Sequence, residues 1–179
     1  WSSDVCSSDL FADGVFDVVL LMGPLYHLLE ETDRRRAAHE AARVLKPGGL
    51  LFASFITRYA FLIDLLMRGP QGISAYGPDW DEWIATGRNV TSERNPGFTN
   101  AYFARPEEAA LLMAEHGLAQ LRLAGAEGIL GAAEPQVCLL RRELFEHWVD
   151  LCYRLGADPH TWGTATHLLY VGRRPSIPD

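Results

Sequence analysis

Eight residues constrain this chain more than any others: Val15-Phe16-Asp17-Val18-Val19-Leu20-Leu21-Met22 is almost continuously apolar and rich in β-branched side chains. Asp13-Gly14 before the run and Gly23-Pro24 after it mark turns. Such a run predicts a strand buried on both faces, the kind found inside a parallel sheet. Parallel strands need a crossover, and the residues that follow supply one. Thr32 or Asp33 is placed to cap a helix on which Ala37, Ala38, Ala41, Val44 and Leu45 recur on one face. Lys46 stands where the carbonyl end of that helix favours a cation, and Pro47-Gly48-Gly49 stops the helix and turns the chain. Leu50 to Ile56 reads as a second buried strand, so the segment is a βαβ unit with an expected right-handed crossover.

Residues 57–103 interrupt this alternation. Tyr59 to Met67 suits one short apolar helix, and the remainder is broken by Gly and Pro and carries Tyr76, Trp80, Trp83, Phe98, Tyr102 and Phe103. Aromatic side chains at this density suit either a lid over an apolar ligand or a satellite cluster that packs the insertion down. Pro106-Glu107-Glu108 then opens a helix that buries Ala109, Leu112 and Met113 and closes at Gly117. Leu118 to Ala124 alternates apolar and polar residues, which predicts a strand near a sheet edge. Leu140, Leu144, Trp148, Leu151, Cys152 and Leu155 form the stripe of an amphipathic helix, and His167 to Val171 is a last apolar strand.

Composition narrows the partners. At 179 residues with 48% hydrophobic content the chain is long enough for one globular domain. Its net charge is −7, and its few basic clusters, Arg34-Arg35-Arg36 foremost, read as solvated surface rather than a nucleic-acid stripe. No apolar run reaches bilayer-spanning length. Three cysteines without close pairing suggest neither a disulfide framework nor a zinc site, and no metal-ligand set is expected. A cytoplasmic setting follows as the expectation.

Residues 1–10 have no helical or strand period, and Asp4 to Leu10 resembles an in-frame translation of a sequencing-library adapter. They are expected to be a non-native segment, with residues 11–179 forming one domain.

Two further motifs carry a family resemblance. Phe16-Asp17-Val18-Val19-Leu20 leading into Gly23-Pro24-Leu25-Tyr26-His27-Leu28 is similar to the fourth strand and following loop of class I S-adenosylmethionine-dependent methyltransferases. Arg43-Val44-Leu45-Lys46-Pro47-Gly48-Gly49-Leu50 is similar to that family's connection into its fifth strand. Thr166 to Arg173 looks like the last strand of a bacterial small-molecule branch. The resemblance implies an α/β, Rossmann-like methyltransferase sheet whose first strands are absent, with a helical and aromatic lid insertion at about 57–103. It also implies a Gly-rich turn after the first strand and a ribose-binding acid after the second, and neither precedes Phe16 here. Residues 11–179 are therefore expected to be the C-terminal part of a methyltransferase domain, inactive by itself. The strand from Val15 to Met22 is expected to form an unpaired apolar edge, prone to aggregation.

What the resemblance implies for single residues is modest, because methyl transfer needs alignment, water exclusion and at most one proton removed. Met22, Gly23, Pro24 and Tyr26 would border S-adenosyl-L-methionine. His27 would take a proton from the acceptor, and Tyr102 and His167 would line the acceptor's pocket. Asp17 is expected to bond backbone, and His39, His116, His147 and His160 to lie on helix surfaces or loops. The expected partner is a small-molecule acceptor, without nucleic acid or membrane. The alternatives are another nucleotide-crevice enzyme, such as a nicotinamide-dependent oxidoreductase, and a catalytically dead module that binds a partner through its exposed strand.

Overall fold

The βαβ unit is present. In the computed structural model, which describes residues 10–75, 80–91 and 99–176, strand β1 (Phe16–Leu21) runs parallel to β2 (Leu45–Thr57). Between them lies a short helix α1 (Pro24–His27), then α2 (Glu31–Val44), which lays Ala37, Ala38, Ala41 and Ala42 against the sheet. Small side chains at those positions let the helix approach closely. Tyr76, Phe98 and residues 1–9 lie outside the described residues.

β2 is the axis of the sheet. Strand β6 (His167–Arg173) lies antiparallel along one side of it, from Leu50 opposite Arg173 to Ile56 opposite His167. Strand β5 (Ala119–Gly125) lies antiparallel outside β6 and forms an edge, as its alternation predicts. On the other side of β2 stand β1 and, beyond its end, β4 (Ala101–Ala104), which pairs Ile56 with Phe103. The two-residue β3 (Arg88–Asn89) borders β4. Because β6 opposes both neighbours, β1, β2, β4 and β5 all point one way. The connections leaving β1, β2 and β5 therefore emerge at one end of the sheet.

The two-residue period of the strands sorts the core. Leu21, Leu51, Ala53, Phe55, Leu168 and Tyr170 are buried together with α2 and with Ala109 and Met113 of α5 (Pro106–Glu115). The alternate residues face away. Val18 and Leu20 are 49% and 69% exposed, and Met22 is 52% exposed. A strand buried on both faces is thus corrected to one covered on a single face. Among the described residues β1 pairs with β2 alone.

Several local expectations also change. Helix α2 starts at Glu31 with extended Glu30 before it, so neither Thr32 nor Asp33 is the cap. Asp17 is not buried: its carboxylate projects from the edge and accepts from Lys46 Nζ at 2.8 and 2.9 Å. Lys46 and Pro47 already belong to β2, whose pairing with β1 carries an irregularity between Phe16 and Val18. Arg34, read as surface, is only 7% exposed. His116 lies in the turn that ends α5, as expected, and is half-buried there with its ring 5.8 Å from that of His39. The stripe of helix α7 (Arg142–Gly156) is only partly covered, with Leu144 and Trp148 exposed and Leu151, Cys152 and Leu155 half-buried. The helix is held near its carboxyl end, where Trp162 Nε1 donates to Gly156 O at 3.0 Å and Arg122 donates to Tyr153 Oη at 2.8 Å.

Candidate active site

The carboxyl ends of parallel strands are where an open α/β sheet presents its crevice. At the end of β1, Gly23 turns the chain with φ +140°, a conformation that L side chains rarely adopt. Among the described residues, an atom placed where its Cβ would stand meets only Tyr26 Oη within 4 Å, at 3.7 Å. The backbone here is therefore open to close approach. Pro24 starts α1, Leu25 anchors it in the core, and Leu28 N–H closes the turn onto Pro24 O at 3.1 Å. The Tyr26 and His27 rings lie 4.8 Å apart, and Tyr26 packs on a cluster of Ile56, Ala60, Ala101 and Phe103.

Arginines brace the loop that follows. Arg34 Nη1 donates to Leu28 O at 2.8 Å and Leu29 O at 2.7 Å, and its guanidinium lies 3.5 Å above the Tyr102 ring. Arg88 reaches across from β3 to Leu29 O and to the Glu30 carboxylate, both at 2.8 Å, and so holds Glu30 below the usual carboxylate range. Arg58, just after β2, donates to Phe103 O, to Ile84 and Ala85 O, and to both oxygens of Glu108. These contacts tie the insertion to the sheet.

Within the insertion, α3 (Ala60–Arg68) matches the expected apolar helix, and α4 (Trp80–Thr86) brings Trp80 and Trp83 beside Phe61. The Phe61 and Trp83 rings meet edge to face at 5.2 Å, and Trp80 and Trp83 at 5.3 Å. Trp83 is buried in this cluster, which supports the packing role weighed for these aromatics.

A second insertion, residues 126–166, leaves the end of β5 and returns into β6. It contains α6 (Glu134–Cys138), α7 and two 3-10 turns. Its start and end are joined by Glu127, whose carboxylate accepts from Thr166 Oγ1 at 2.7 Å, His167 N–H at 3.0 Å and His167 Nδ1 at 2.8 Å. Those hydrogen bonds, led by the one from the imidazole, bring Glu127 down to about 2 against the opposing effect of burial. Glu127 in turn raises His167.

The site residues expected from sequence fall in three places. Met22, Gly23, Pro24, Tyr26 and His27 cluster along the chain at the end of β1. His167 stands opposite Ile56 and so shares a sheet face with it and with Phe103. Tyr102 faces the other way, into a cavity of about 260 Å³ between α2 and α5 that Arg34, Phe55, Glu108 and Leu112 also line. Its hydroxyl donates to Glu108 at 2.8 Å, and burial raises its pKa. Sequence reading missed Arg34, Arg58, Arg88 and Glu127. Nothing in the local pattern of Gly125-Ala126-Glu127-Gly128 marks a functional acid, and the partners of Arg34, Arg58 and Arg88 lie on other segments that no local period reveals. Among the described residues no group of three or more His, Cys, Asp and Glu is placed to hold a metal ion.

A sheet in which an antiparallel strand separates two parallel ones, with helices between them, has the fold of class I S-adenosylmethionine-dependent methyltransferases. Residues 2–53 match the methyltransferase domain family, in agreement with the resemblance carried by residues 16–28 and 43–50. Among solved structures, an S-adenosylmethionine-dependent methyltransferase from Methanosarcina mazei superposes with a TM-score of 0.59 at 16% identity, over 96% of this chain and 65% of its own. A proposed methyltransferase of the same kind from Listeria monocytogenes gives 0.54 at 13% identity, over 94% of this chain and 66% of its own. The 1,6-didemethyltoxoflavin-N1-methyltransferase of Burkholderia thailandensis, solved with 1,6-didemethyltoxoflavin and S-adenosylhomocysteine, gives 0.48 at 13% identity, over 94% and 48%. The chain thus spans less than two thirds of each of these neighbours' length. No curated protein matches it.

Proposed function

We infer that the protein transfers a methyl group from S-adenosylmethionine to a small-molecule acceptor. One observation carries the reading: the open backbone of Gly23 at the end of β1, flanked by half-exposed Met22 and by Tyr26. That space suits the methionine end of the donor, with Met22, Gly23, Pro24 and Tyr26 bordering it. Bound there, the donor supplies an electrophilic methyl carbon on a sulfonium. The chain's own residues orient the acceptor and exclude water. Tyr26 gives apolar cover beside Gly23, the Phe61–Trp83 cluster packs the insertion behind it, and the imidazoles of His27 and His167 stand at the same end of the sheet. Tyr102 serves the acceptor only if the pocket extends around β4 towards α2.

Residues 11–179 are, on this reading, the C-terminal part of one cytoplasmic methyltransferase domain, with residues 1–10 a non-native segment. The chain spans less than two thirds of the length of the methyltransferases it superposes on, and the 179-residue chain is proposed to be inactive alone. The antiparallel placement of β6 disfavours the nicotinamide alternative, whose sheet is mostly parallel. A second reading, a binding module without catalysis, rests on the exposure of Val18 and Leu20.

Calorimetric titration of S-adenosylmethionine into the full-length native protein and into this chain tests the proposal. Binding by the former with loss in the latter is expected. A native protein that ignores the donor, while retaining its fold by circular dichroism, overturns the methyltransferase reading and favours the binding module.

A further inference from the structure

The Glu127–His167 pair has the makings of a proton-transfer device. It stands where β5 ends and β6 begins, at the same end of the sheet as Gly23. Two strand spacings across and two residues along separate His167 from Met22, roughly 12 Å, a span that leaves room for an acceptor between them. The three hydrogen bonds to Glu127 fix both the carboxylate and the imidazole. With Nδ1 occupied as a donor to Glu127 Oε1, the neutral ring must carry its lone pair on Nε2. Among the described residues Nε2 has no hydrogen-bond partner, and the side chain is 44% exposed. Thr166, also bonded to Glu127, keeps the carboxylate aligned when the histidine changes charge.

Resting on the methyltransferase reading above, we propose that His167 is the group that takes the acceptor's proton and that Glu127 is its positioning residue. The acceptor class is then one whose nucleophilic atom carries a weakly acidic proton, a hydroxyl or a protonated nitrogen. His167 Nε2 takes that proton, and the acceptor's freed electron pair forms the new bond to carbon. The carbon–sulfur pair stays on sulfur, which becomes a neutral thioether. The resulting imidazolium faces Glu127 and is stabilised by it, as a carboxylate stabilises the histidine of a hydrolytic triad. Among the described residues Glu127 is the ionisable group that acts on His167; its neighbour across the strand is Ile56.

The test is made on the full-length native protein, as wild type, Glu127→Gln and His167→Gln, with calorimetry of S-adenosylmethionine as the control for the underlying reading. Diethyl pyrocarbonate, which acylates an unprotonated imidazole nitrogen, is the probe, and peptide mass mapping reads modification at His167 as a function of pH. Modification at His167 is expected with a midpoint above that of free imidazole. Glu127→Gln should lower that midpoint by about half a pH unit, the scale of a half-exposed ion pair. His167→Gln should leave donor binding unchanged. A midpoint that does not move in Glu127→Gln, or a His167 that resists acylation while other histidines react, overturns the proposal even where the donor binds. Nitrogen-15 spectra of the imidazole probe the same tautomer independently: Nε2 must be the unprotonated nitrogen, and a neutral ring protonated at Nε2 refutes the assignment. Loss of donor binding in the wild type would instead strike the methyltransferase reading itself.

Discussion

Replacing Arg58 by Met should detach the first insertion from the sheet. The side chain is 2% exposed, and its guanidinium satisfies Phe103 O at 2.7 Å, Ile84 O at 3.0 Å, Ala85 O at 2.9 Å and both oxygens of Glu108 at 2.9 Å. Methionine fills much of the volume but donates nothing. A buried acceptor left unpaired costs roughly 1–3 kcal/mol. Glu108 is 38% exposed and recovers water, so its ion pair adds little once screening is counted. Ile84 O and Ala85 O share one nitrogen and relax together. Two independent losses remain, and the expected destabilisation is about 3–4 kcal/mol. Urea unfolding, followed by circular dichroism and by tryptophan fluorescence, measures it. Trp80 and Trp83 ride on the helix whose carbonyls Arg58 holds, so the fluorescence midpoint should fall at least as far as the dichroism midpoint. Arg58→Lys keeps the charge but not the fork, and should recover less than half of the loss. A loss below about 1 kcal/mol in Arg58→Met would show that these carbonyls find other partners, and would refute the reasoning.

Gly87 sits in the same knot with φ +74°, and an added Cβ would stand 2.3 Å from Phe103 O. Gly87→Ala should therefore destabilise by more than the roughly 1 kcal/mol of the left-handed backbone alone, as read by thermal melting. The 179-residue chain should self-associate through β1, and Leu20→Lys should shift it towards monomer in sedimentation velocity; a monodisperse wild-type chain would contradict this. Glu127 and His167 set a pH window. Glu127, lowered to about 2, contributes stability that is present above its unfolded value near 4.3 and is lost as pH falls towards 2. His167, raised, contributes stability that is full below about 6.5 and is lost as pH rises through its folded value. The melting-temperature difference between wild type and Glu127→Gln should thus be widest between about pH 4.5 and 6.5 and shrink on either side.

The fold was legible wherever one local rule sufficed. The run from Val15 to Met22, the alanine face of α2, the Pro106 helix start and the alternation of β5 each point to the element that forms. What the sequence hid depends on partners far along the chain. Whether Val18 is covered cannot be read from Val18. Arg34 looks like a surface residue on a charged helix until Leu28, Leu29 and Tyr102 are brought to it. The site divided in the same way: Gly23-Pro24 was visible as a turn after a strand, whereas the pairing of Glu127 with His167 joins residues 40 positions apart. Tyr102 and Phe103 stand side by side in sequence yet open on opposite faces of the sheet, so composition alone could not assign either to a pocket.

The position of β6 bears on how the chain is made. It comes last in sequence among the described strands, yet it lies between β2 and β5 and bonds to both. During synthesis β5 emerges with no sheet to join until residues 167–173 have followed it. Arg174 then completes the closure, its Nη1 donating to Ala42, Arg43 and Leu45 O at 3.1, 2.9 and 2.5 Å. This half of the sheet therefore assembles late and all at once. A nascent chain stalled before His167 would expose β2 and β5 together to the cell's chaperones.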